Sequence, residues 1–257
     1  MNDYKTTVAI VTVTDTEFNA AKLFYEWTKV IHPGDGQEYY EACFERNGEK
    51  HKIVLAKQNE MGMVACSVLS MKIINKYRPK YLIMVGIAAG IQIEGEDDFE
   101  YGDVICANHI WNYSNGKYVP AEEADIIFGN IGFKSRPLSI KTDDEILAYV
   151  NEANNDPENE NHLIIGPMAS GNSVIANSEY VKKAVTGIFS NTTSLDMESY
   201  AIAYAAKNAT EPRPQALVLK SICDFADSRK DDRYQRFAAY TSMQFSKLLF
   251  EKYLPTD

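Results

Sequence analysis

Four carboxylates are concentrated in one stretch of the sequence, residues 194–227. Asp196 and Glu198 follow a short apolar segment, and Asp224 and Asp227 follow a longer one, with a helical segment and a proline-broken loop between them. Ligands collect beyond the carboxyl ends of strands in an open α/β sheet, so these side chains are expected to face one cleft. Because unpaired charges near apolar surface are costly, the cluster favours a catalytic or binding site.

A further carboxylate, Glu17, lies near the start of the chain. Residues 6–13 are β-branched and apolar, which predicts a strand buried on both faces, and Thr14 supplies an N-cap for the following helix. Glu17 then falls in the first helical turn, just beyond the end of the strand. The helix dipole favours a carboxylate there, so the residues alone leave two interpretations, a capping charge or a member of the site.

The segments around these residues alternate between strand and helix patterns. An apolar strand over residues 81–85 runs into the small-residue turn 86–90, where backbone can approach a ligand closely. The other predicted elements are a hairpin (39–46 and 51–58), helices at 62–77, 143–150 and 179–189, strands starting at 102 and 162, and an amphipathic helix at 233–253. No repeat or linker divides the chain, which predicts one α/β domain over residues 1–257.

Composition excludes several classes of protein. The net charge of −10 argues against binding to nucleic acid or an anionic membrane. The four cysteines are far apart and form no C-x-x-C pair, which predicts reduced thiols and no zinc site. No signal peptide or long apolar span is present, so we expect a cytoplasmic protein. Trp111 and Tyr113 could stack on a base or lie at a subunit contact, and the sequence does not choose.

Several short motifs occur in an order that is more specific than strand and helix alternation. They are residues 85–90, 102–104 and 169–172, then 196–199 with 221–227. In this order they resemble the nucleoside phosphorylase and nucleosidase superfamily, over essentially the whole chain. The resemblance implies a three-layer α/β/α sandwich with a central mixed β-sheet, assembled as a homo-oligomer, either a dimer or a hexamer.

The resemblance also implies a role for individual residues. Asp224 matches the general acid that bonds the purine at N7, and Glu198 matches the carboxylate that grips the ribose hydroxyls. Glu17 matches the residue that activates water in the hydrolytic members. The full set of residues expected to contact substrate, apart from these three, is Met197 under the sugar, Val174 and Ile175 at the base, Gly86, Ala88, Asp196, Arg229, Lys230 and Arg233. Asp196 and Asp227 are also interpreted as supporting residues.

Cleavage of a ribose–purine bond requires the same three kinds of group, and this requirement does not depend on the resemblance. Cleavage develops positive charge on the sugar and negative charge on the departing base. An acid at the base neutralises the leaving group, and a carboxylate near the 2′ and 3′ hydroxyls favours the cationic sugar. A base on the opposite face deprotonates water. Asp224, Glu198 and Glu17 supply one residue for each demand.

The sequence favours water over phosphate as the nucleophile. The phosphorylase branch carries a Gly-Asp-Pro-type loop with arginine after the first strand, and a second arginine before the glycine-rich turn. Here the first loop is residues 14–17 and residues 83–85 precede the turn, with no cation in either place. A carboxylate where phosphate should bind would repel it, which predicts a hydrolase.

Two sequence features bear on the substrate. The turn 86–90 lacks the serine usual in methylthioadenosine/S-adenosylhomocysteine nucleosidases, and four cations within residues 229–236 suit a 5′ phosphate chain. The alternative is that these cations balance Asp231 and Asp232. The pattern is similar to nucleosidase domains of bacterial signalling and immune systems and of fungal immune receptors, some of which deplete ATP.

We therefore expect hydrolysis of an adenine nucleoside or nucleotide, with ATP favoured and a role in defence implied. A methylthioadenosine/S-adenosylhomocysteine nucleosidase and a purine nucleoside phosphorylase are the alternatives, and a nucleoside-binding sensor is the non-enzymatic one. No cofactor is expected, although a triphosphate would bring Mg²⁺ with it. An ATP-destroying enzyme has to be restrained in a living cell, which would call for a regulatory partner protein.

Overall fold

The computed structural model describes residues 4–92, 98–128 and 131–256. The strands, in chain order, are β1 (Thr6–Thr12), β2 (Thr28–Ile31), β3 (Glu38–Arg46), β4 (Glu49–Lys57), β5 (Pro79–Gly90), β6 (Val104–Asn112), β7 (Gly116–Val119), β8 (Ile126–Phe128), β9 (Ile131–Ser135), β10 (Ser139–Lys141), β11 (Leu163–Ser170), β12 (Ser194–Asp196) and β13 (Gln215–Asp224). The helices are α1 (Asp15–Lys22), α2 (Met63–Tyr77), α3 (Asp144–Asn154), α4 (Ser178–Val181), α5 (Ser199–Lys207) and α6 (Gln235–Leu248). Wider helical turns extend α4 over Lys182–Thr186 and α6 over Leu249–Tyr253.

Within the described ranges, ten strands form one mixed sheet in the order β10-β6-β11-β12-β5-β1-β4-β3-β2, and β13 pairs with both β5 and β6. The pairs β1–β4, β1–β5, β5–β13, β6–β11 and β11–β12 are parallel, whereas β5–β12 and β6–β13 are antiparallel. The pairings β5–β13–β6–β11–β12–β5 therefore close into a ring. Strands β7, β9 and β8 form a separate small sheet.

Helices cover both faces of the large sheet. Ala9 and Val11 of β1 belong to the apolar cluster that includes α2 and α5, whereas Val8 and Ile10 belong to the cluster on the opposite face, with α3 and α6. Alternate residues of a strand point to opposite faces, so a continuous apolar strand requires helices on both sides. The predicted three-layer α/β/α sandwich with a mixed central sheet is confirmed.

Strand β5 is longer than the sequence suggested. Residues 86–90, predicted as a turn, continue β5 to Gly90 because β13 and β12 pair along this part of it. Ala89 pairs with Asp224 of β13 on one side and with Leu195 of β12 on the other. The two carboxylate-bearing motifs therefore lie across β5 from each other and are not adjacent strands.

Some predicted apolar faces are only partly buried. On α6, Phe237 and Tyr240 are exposed, and the smaller residues Ala238 and Ala239 are buried instead. On α2, the apolar residue Val64 is 81% exposed. None of the helices described has the length and apolar character needed to cross a membrane.

Candidate active site

A cavity of about 260 Å³ opens where β1, β5, β12 and β13 end. The residues that line it come from segments far apart in the sequence. They are Val13, Thr14, Glu17, Met61, Ile87, Ala88, Ala89, Ser173, Val174, Ile175, Leu195, Asp196, Met197, Glu198, Lys220, Cys223, Asp224, Lys230, Asp232 and Gln235. The predicted trio of Glu17, Glu198 and Asp224 therefore shares one cavity.

Glu17 is buried and held by backbone amides. Its Oε2 accepts hydrogen bonds from the N–H groups of Val13 (2.7 Å) and Thr14 (2.8 Å), and its Oε1 accepts one from Ile87 (2.9 Å). The side-chain oxygen of Thr14 in turn accepts a hydrogen bond from the Glu17 N–H, which completes a capping box at the start of α1. Three of about four lone-pair positions on the carboxylate are used, and one remains for a ligand. Glu17 is thus both a helix cap and a residue of the cavity.

Gly86 supports Glu17 and does not line the cavity itself. A Cβ atom at this position would overlap the Glu17 carboxylate. The absence of a side chain at Gly86 lets the end of β5 approach the first turn of α1 closely enough for the Ile87–Glu17 bond. The predicted contact between Gly86 and substrate is therefore replaced by a contact with a candidate catalytic residue.

Two helix N-termini meet at Glu198. The residue is the N-cap of α5, and its Oε1 accepts a 2.7 Å hydrogen bond from the N–H of Gly62, the N-cap of α2. Gly62 has a φ of 106°, a conformation that favours glycine. Burial raises the pKa of the Glu198 carboxyl group, and the ammonium group of Lys220 opposes that rise. The positive ends of two helix dipoles also favour the carboxylate.

Lys220 is the charged centre of this end of the cavity. Its side chain is 1% exposed, and its Nζ lies 2.8 Å from Asp196 Oδ2 and 3.5 Å from Glu198 Oε2. Burial alone would lower the pKa of Lys220, but the carboxylates of Asp196, Glu198 and Glu17 outweigh burial and raise it. Lys220 is therefore an ammonium ion among three carboxylates.

Asp196 lines the cavity, but its carboxylate is occupied. Oδ1 accepts a hydrogen bond from the Ser199 hydroxyl at 2.6 Å. Oδ2 accepts one from the Ser199 N–H at 3.0 Å and also contacts the Lys220 ammonium group. These bonds fix the start of α5 and the position of Lys220. The geometry agrees with the supporting role that the sequence suggested for Asp196 more than with contact to substrate.

Asp224 ends β13 at the other side of the cavity and is buried. Its Oδ1 accepts a hydrogen bond from the N–H of Ala226 at 2.9 Å, and Ala226 adopts a φ of 53°. A side-chain oxygen that bonds the backbone two residues ahead makes a tight turn immediately after the strand. Oδ2 contacts the ammonium group of Lys230 and the Sγ of Cys223 (3.3 Å).

The three predicted phosphate-binding cations are divided by the structure. Lys230 lines the cavity, whereas Arg229 and Arg233 are 84% and 76% exposed and do not line it. Arg229 pairs with Asp227 and Arg233 with Asp231, each through two guanidinium N–H groups. Each arginine is paired with an aspartate two residues before it, so the expectation that both arginines bind substrate stays a prediction. The alternative, charge balance on the surface, describes them better.

The residues predicted at the sugar and base are in the expected neighbourhood. Met197, Val174, Ile175 and Ala88 all line the cavity. Tyr113 donates a hydrogen bond to the Ser173 carbonyl at 3.1 Å and so fixes the backbone next to Val174. Trp111 is buried, and its indole N–H bonds Thr192 Oγ1 at 3.2 Å. Both aromatic residues are core residues in this chain, so neither suggested role, at a base or at a subunit contact, holds.

Lys220 is the main residue that the sequence analysis missed. The signal was present, since it is the one charged residue in the strand segment 216–223. Lysine is rarely buried without a partner, so a lysine in such a strand points to a buried carboxylate elsewhere. The sequence does not say that Asp196 and Glu198 are those partners.

The chain is similar in sequence to several known proteins. The family model described as the phosphorylase superfamily matches residues 7–254. An uncharacterized protein, y4jS of Sinorhizobium fredii, is 32% identical over 227 residues, covering 84% of this chain and 54% of y4jS. A 5′-methylthioadenosine/S-adenosylhomocysteine nucleosidase of Staphylococcus haemolyticus is 24% identical, covering 80% and 83%. The ATP nucleosidase Cap17 of Escherichia coli is 22% identical, covering 90% and 48%.

The chain thus spans about half the length of y4jS and of Cap17. Among solved structures, the methylthioadenosine/S-adenosylhomocysteine nucleosidase of Neisseria meningitidis, in complex with methylthio-immucillin-A, matches with a TM-score of 0.75. Identity is 21%, and the match covers 95% of this chain and 98% of that one. At this identity the likeness concerns the fold.

Proposed function

The chain belongs to the phosphorylase superfamily, and we propose that it is a purine nucleosidase, which hydrolyses the bond between ribose and adenine in an adenine nucleoside or nucleotide. One observation carries the proposal: Glu17, Glu198 and Asp224, from three distant segments, line a single cavity. The relatives with named activities are nucleosidases, and they support the same reaction class.

Asp224 is the proposed acid at the base. When the bond between C1′ and the purine breaks, the bonding electrons leave with the base, and a proton from Asp224 to N7 neutralises it. The Ala226 N–H holds Oδ1 of Asp224, so Oδ2 is the oxygen that delivers the proton. Val174 and Ile175 line the same cavity and support the base from the side.

Glu198 is the proposed ribose ligand. Hydroxyl groups of the sugar would donate to its carboxylate, which has acceptor positions left after the Gly62 bond. The negative charge close to the sugar favours the positive charge that develops there. Lys220 and the two helix termini hold Glu198 in position.

Glu17 is the proposed base for water. Its carboxylate has one acceptor position free, and the amides of Val13, Thr14 and Ile87 fix its orientation. Water attacks C1′, and its proton passes to Glu17. Phosphate in the same place would meet the carboxylate, and no cation replaces the two arginines that the phosphorylase branch carries, which supports hydrolysis over phosphorolysis.

ATP is the substrate we favour within this proposal. Lys230 offers a cation at the cavity, and the named relative Cap17 is an ATP nucleosidase. A volume of about 260 Å³ lies just below the usual range of about 300 Å³ or more for small-molecule sites, so the phosphates would extend to the mouth of the cavity. Mg²⁺ would then enter only with the triphosphate. A role in defence, under a regulatory partner protein, is part of this proposal.

A methylthioadenosine/S-adenosylhomocysteine nucleosidase is the second candidate. Val13 and Met61 give the cavity an apolar wall that would suit a thioether at the 5′ carbon. Met61 is also exposed beside Val64 and Val68 of α2. This apolar surface supports the proposal of a homo-oligomer, which light scattering would measure. The four free cysteines are in keeping with the cytoplasmic location that we propose.

The test is free-base release by chromatography from ATP, AMP, adenosine, methylthioadenosine and inosine, each with and without phosphate. We expect adenine from ATP without phosphate, and a loss of about 100- to 10,000-fold in kcat for Asp224→Asn, because the base loses its acid. Asp231→Asn is the matched control, since Asp231 pairs with Arg233 outside the cavity.

Other outcomes would redirect the proposal. A strict need for phosphate would make the protein a phosphorylase, and release only from methylthioadenosine would favour the second candidate. No release from any substrate, with adenosine binding unchanged in Asp224→Asn, would favour a sensor.

A further inference from the structure

Lys230 lies in the cavity in a position that conflicts with the proposed chemistry. Its ammonium group contacts Oδ2 of Asp224, the oxygen that is expected to serve the base. The other oxygen, Oδ1, is occupied by the Ala226 N–H. In the state described, Oδ1 of the acid therefore accepts a backbone bond, and Oδ2 contacts both the Lys230 ammonium group and the Cys223 thiol.

This ion pair has to separate before the base can react. The ammonium group of Lys230 occupies space beside Oδ2, where N7 of the purine has to bind. A productive complex therefore requires Lys230 to leave Asp224.

Lys230 has the freedom to leave. It belongs to residues 225–234, which connect β13 to α6 without a helix or strand, and its side chain is 27% exposed. Lys220, the other lysine that lines the cavity, has no such freedom, because it is 1% exposed between Asp196 and Glu198. Arg229 and Arg233 are held by their own aspartates on the surface.

We propose that Lys230 is a specificity-determining residue that moves from Asp224 to a phosphate group of the substrate, so that a 5′-phosphorylated nucleoside uncovers its own general acid. The inference rests on the proposed function and adds the substrate class. A phosphate replaces the carboxylate as the partner of the ammonium group, so one charge-assisted bond is exchanged for another. A neutral nucleoside offers no anion, and the ion pair must then break without a replacement.

The proposal predicts a change in the ratio between two substrates. Charge-assisted hydrogen bonds correspond to about 10- to 100-fold in an equilibrium constant. Lys230→Met keeps an unbranched side chain that is one atom shorter and removes the charge. We expect the ratio of kcat/KM for ATP to kcat/KM for adenosine to fall about 10- to 100-fold in this variant, because adenosine no longer has to break the ion pair with Asp224 and ATP no longer gains a replacement bond.

The experiment measures kcat and KM for ATP and adenosine, by adenine release, in the wild type, Lys230→Met and Lys230→Gln. Lys183→Met is the matched control. Lys183, on the extension of α4, forms a surface ion pair with Glu179 of α4 and does not line the cavity. Circular dichroism checks that each variant is folded, and the second substitution guards against a defect specific to methionine.

A fall of at least tenfold in the ATP-to-adenosine ratio, in both Lys230 variants and not in the control, supports the inference. Equal losses for ATP and adenosine would mean a structural role and would overturn it, as would an unchanged ratio or a wild type that prefers adenosine. Failure of the proposed function looks different, since the wild type would then release adenine from neither substrate.

Discussion

Two lysines bind carboxylates in the same cavity, but their surroundings differ. Lys220 lies in the middle of β13, is almost fully buried and is shared between Asp196 and Glu198. Lys230 lies on an irregular segment, is about one quarter exposed and forms its ion pair with Asp224. The sheet and the starts of two helices fix the first ion pair, whereas a surface segment carries the second.

The difference separates a rigid end of the cavity from an adjustable one. A buried ion pair cannot lose one member without leaving an uncompensated charge, so it has a single arrangement. A partly exposed pair can exchange its partner for water or for another anion at small cost. Ribose and water are therefore expected to meet a preorganised site, and the base and phosphates to meet one that rearranges.

The largest expected effect is on the rigid end. Lys220→Met should lower the free energy of unfolding by about 3–5 kcal/mol, because Asp196 and Glu198 would be left buried together without a cation. Lys230→Met should lower it by less than about 1 kcal/mol, since that pair is partly exposed. Urea unfolding measures both, with Lys207→Met at the exposed end of α5 as the control. Equal losses at the two lysines would remove the distinction between the two ends.

A smaller effect is expected from Gly86→Ala. The new Cβ atom would displace the Glu17 carboxylate and break its bond to Ile87. A misplacement of about 1 Å in a reacting group can cost about 100-fold, so kcat should fall by about 10- to 100-fold. Adenine binding, measured by calorimetry, should stay level because Asp224 is at the other end. A loss of adenine affinity with kcat preserved would contradict the position assigned to Glu17.

The smallest effect is expected at the two surface arginines. Arg229→Met and Arg233→Met should each change kcat/KM for ATP by less than about twofold, because an exposed ion pair with a neighbouring aspartate contributes little. Steady-state kinetics on the same substrates as for Lys230 gives the comparison. A loss of tenfold or more in kcat/KM for ATP at either arginine would mean that this arginine also binds the phosphates, and it would contradict the assignment of that role to Lys230 alone.

The sequence predicted the layers, and it singled out three carboxylates that line one cavity, because both leave local patterns. Continuous apolar strands such as β1 require cover on both faces. Asp224 is the last residue of such a strand, and Glu17 lies in the first helical turn that follows one. The family motifs then assigned roles that no periodicity could assign. The length of β5 was missed because its last residues are small, and only pairing with β12 and β13 makes them a strand.

The ion pairs could not be predicted to the same extent, for two reasons. The partners of Lys220 lie 22 and 24 residues before it, and no pattern in a strand identifies them. Residues 225–234 have no periodicity, so the sequence could not say which of its cations points inward. One local signal was available, since Asp227 and Asp231 each precede an arginine by two residues, a spacing that allows the pairs observed on the surface.

The ring of strand pairings has a consequence for how the protein is made. Strand β5 ends at Gly90, yet it needs β12 and β13, which emerge from the ribosome more than 100 residues later. Sheets built from contacts so distant in sequence form slowly, and their edges stay open in the meantime. Glu17 is translated early, but the cavity around it closes only after Asp224 has been added. A nascent chain that lacks β13 has no Asp224 and no Lys220, so the proposed hydrolysis cannot begin before β13 has been added.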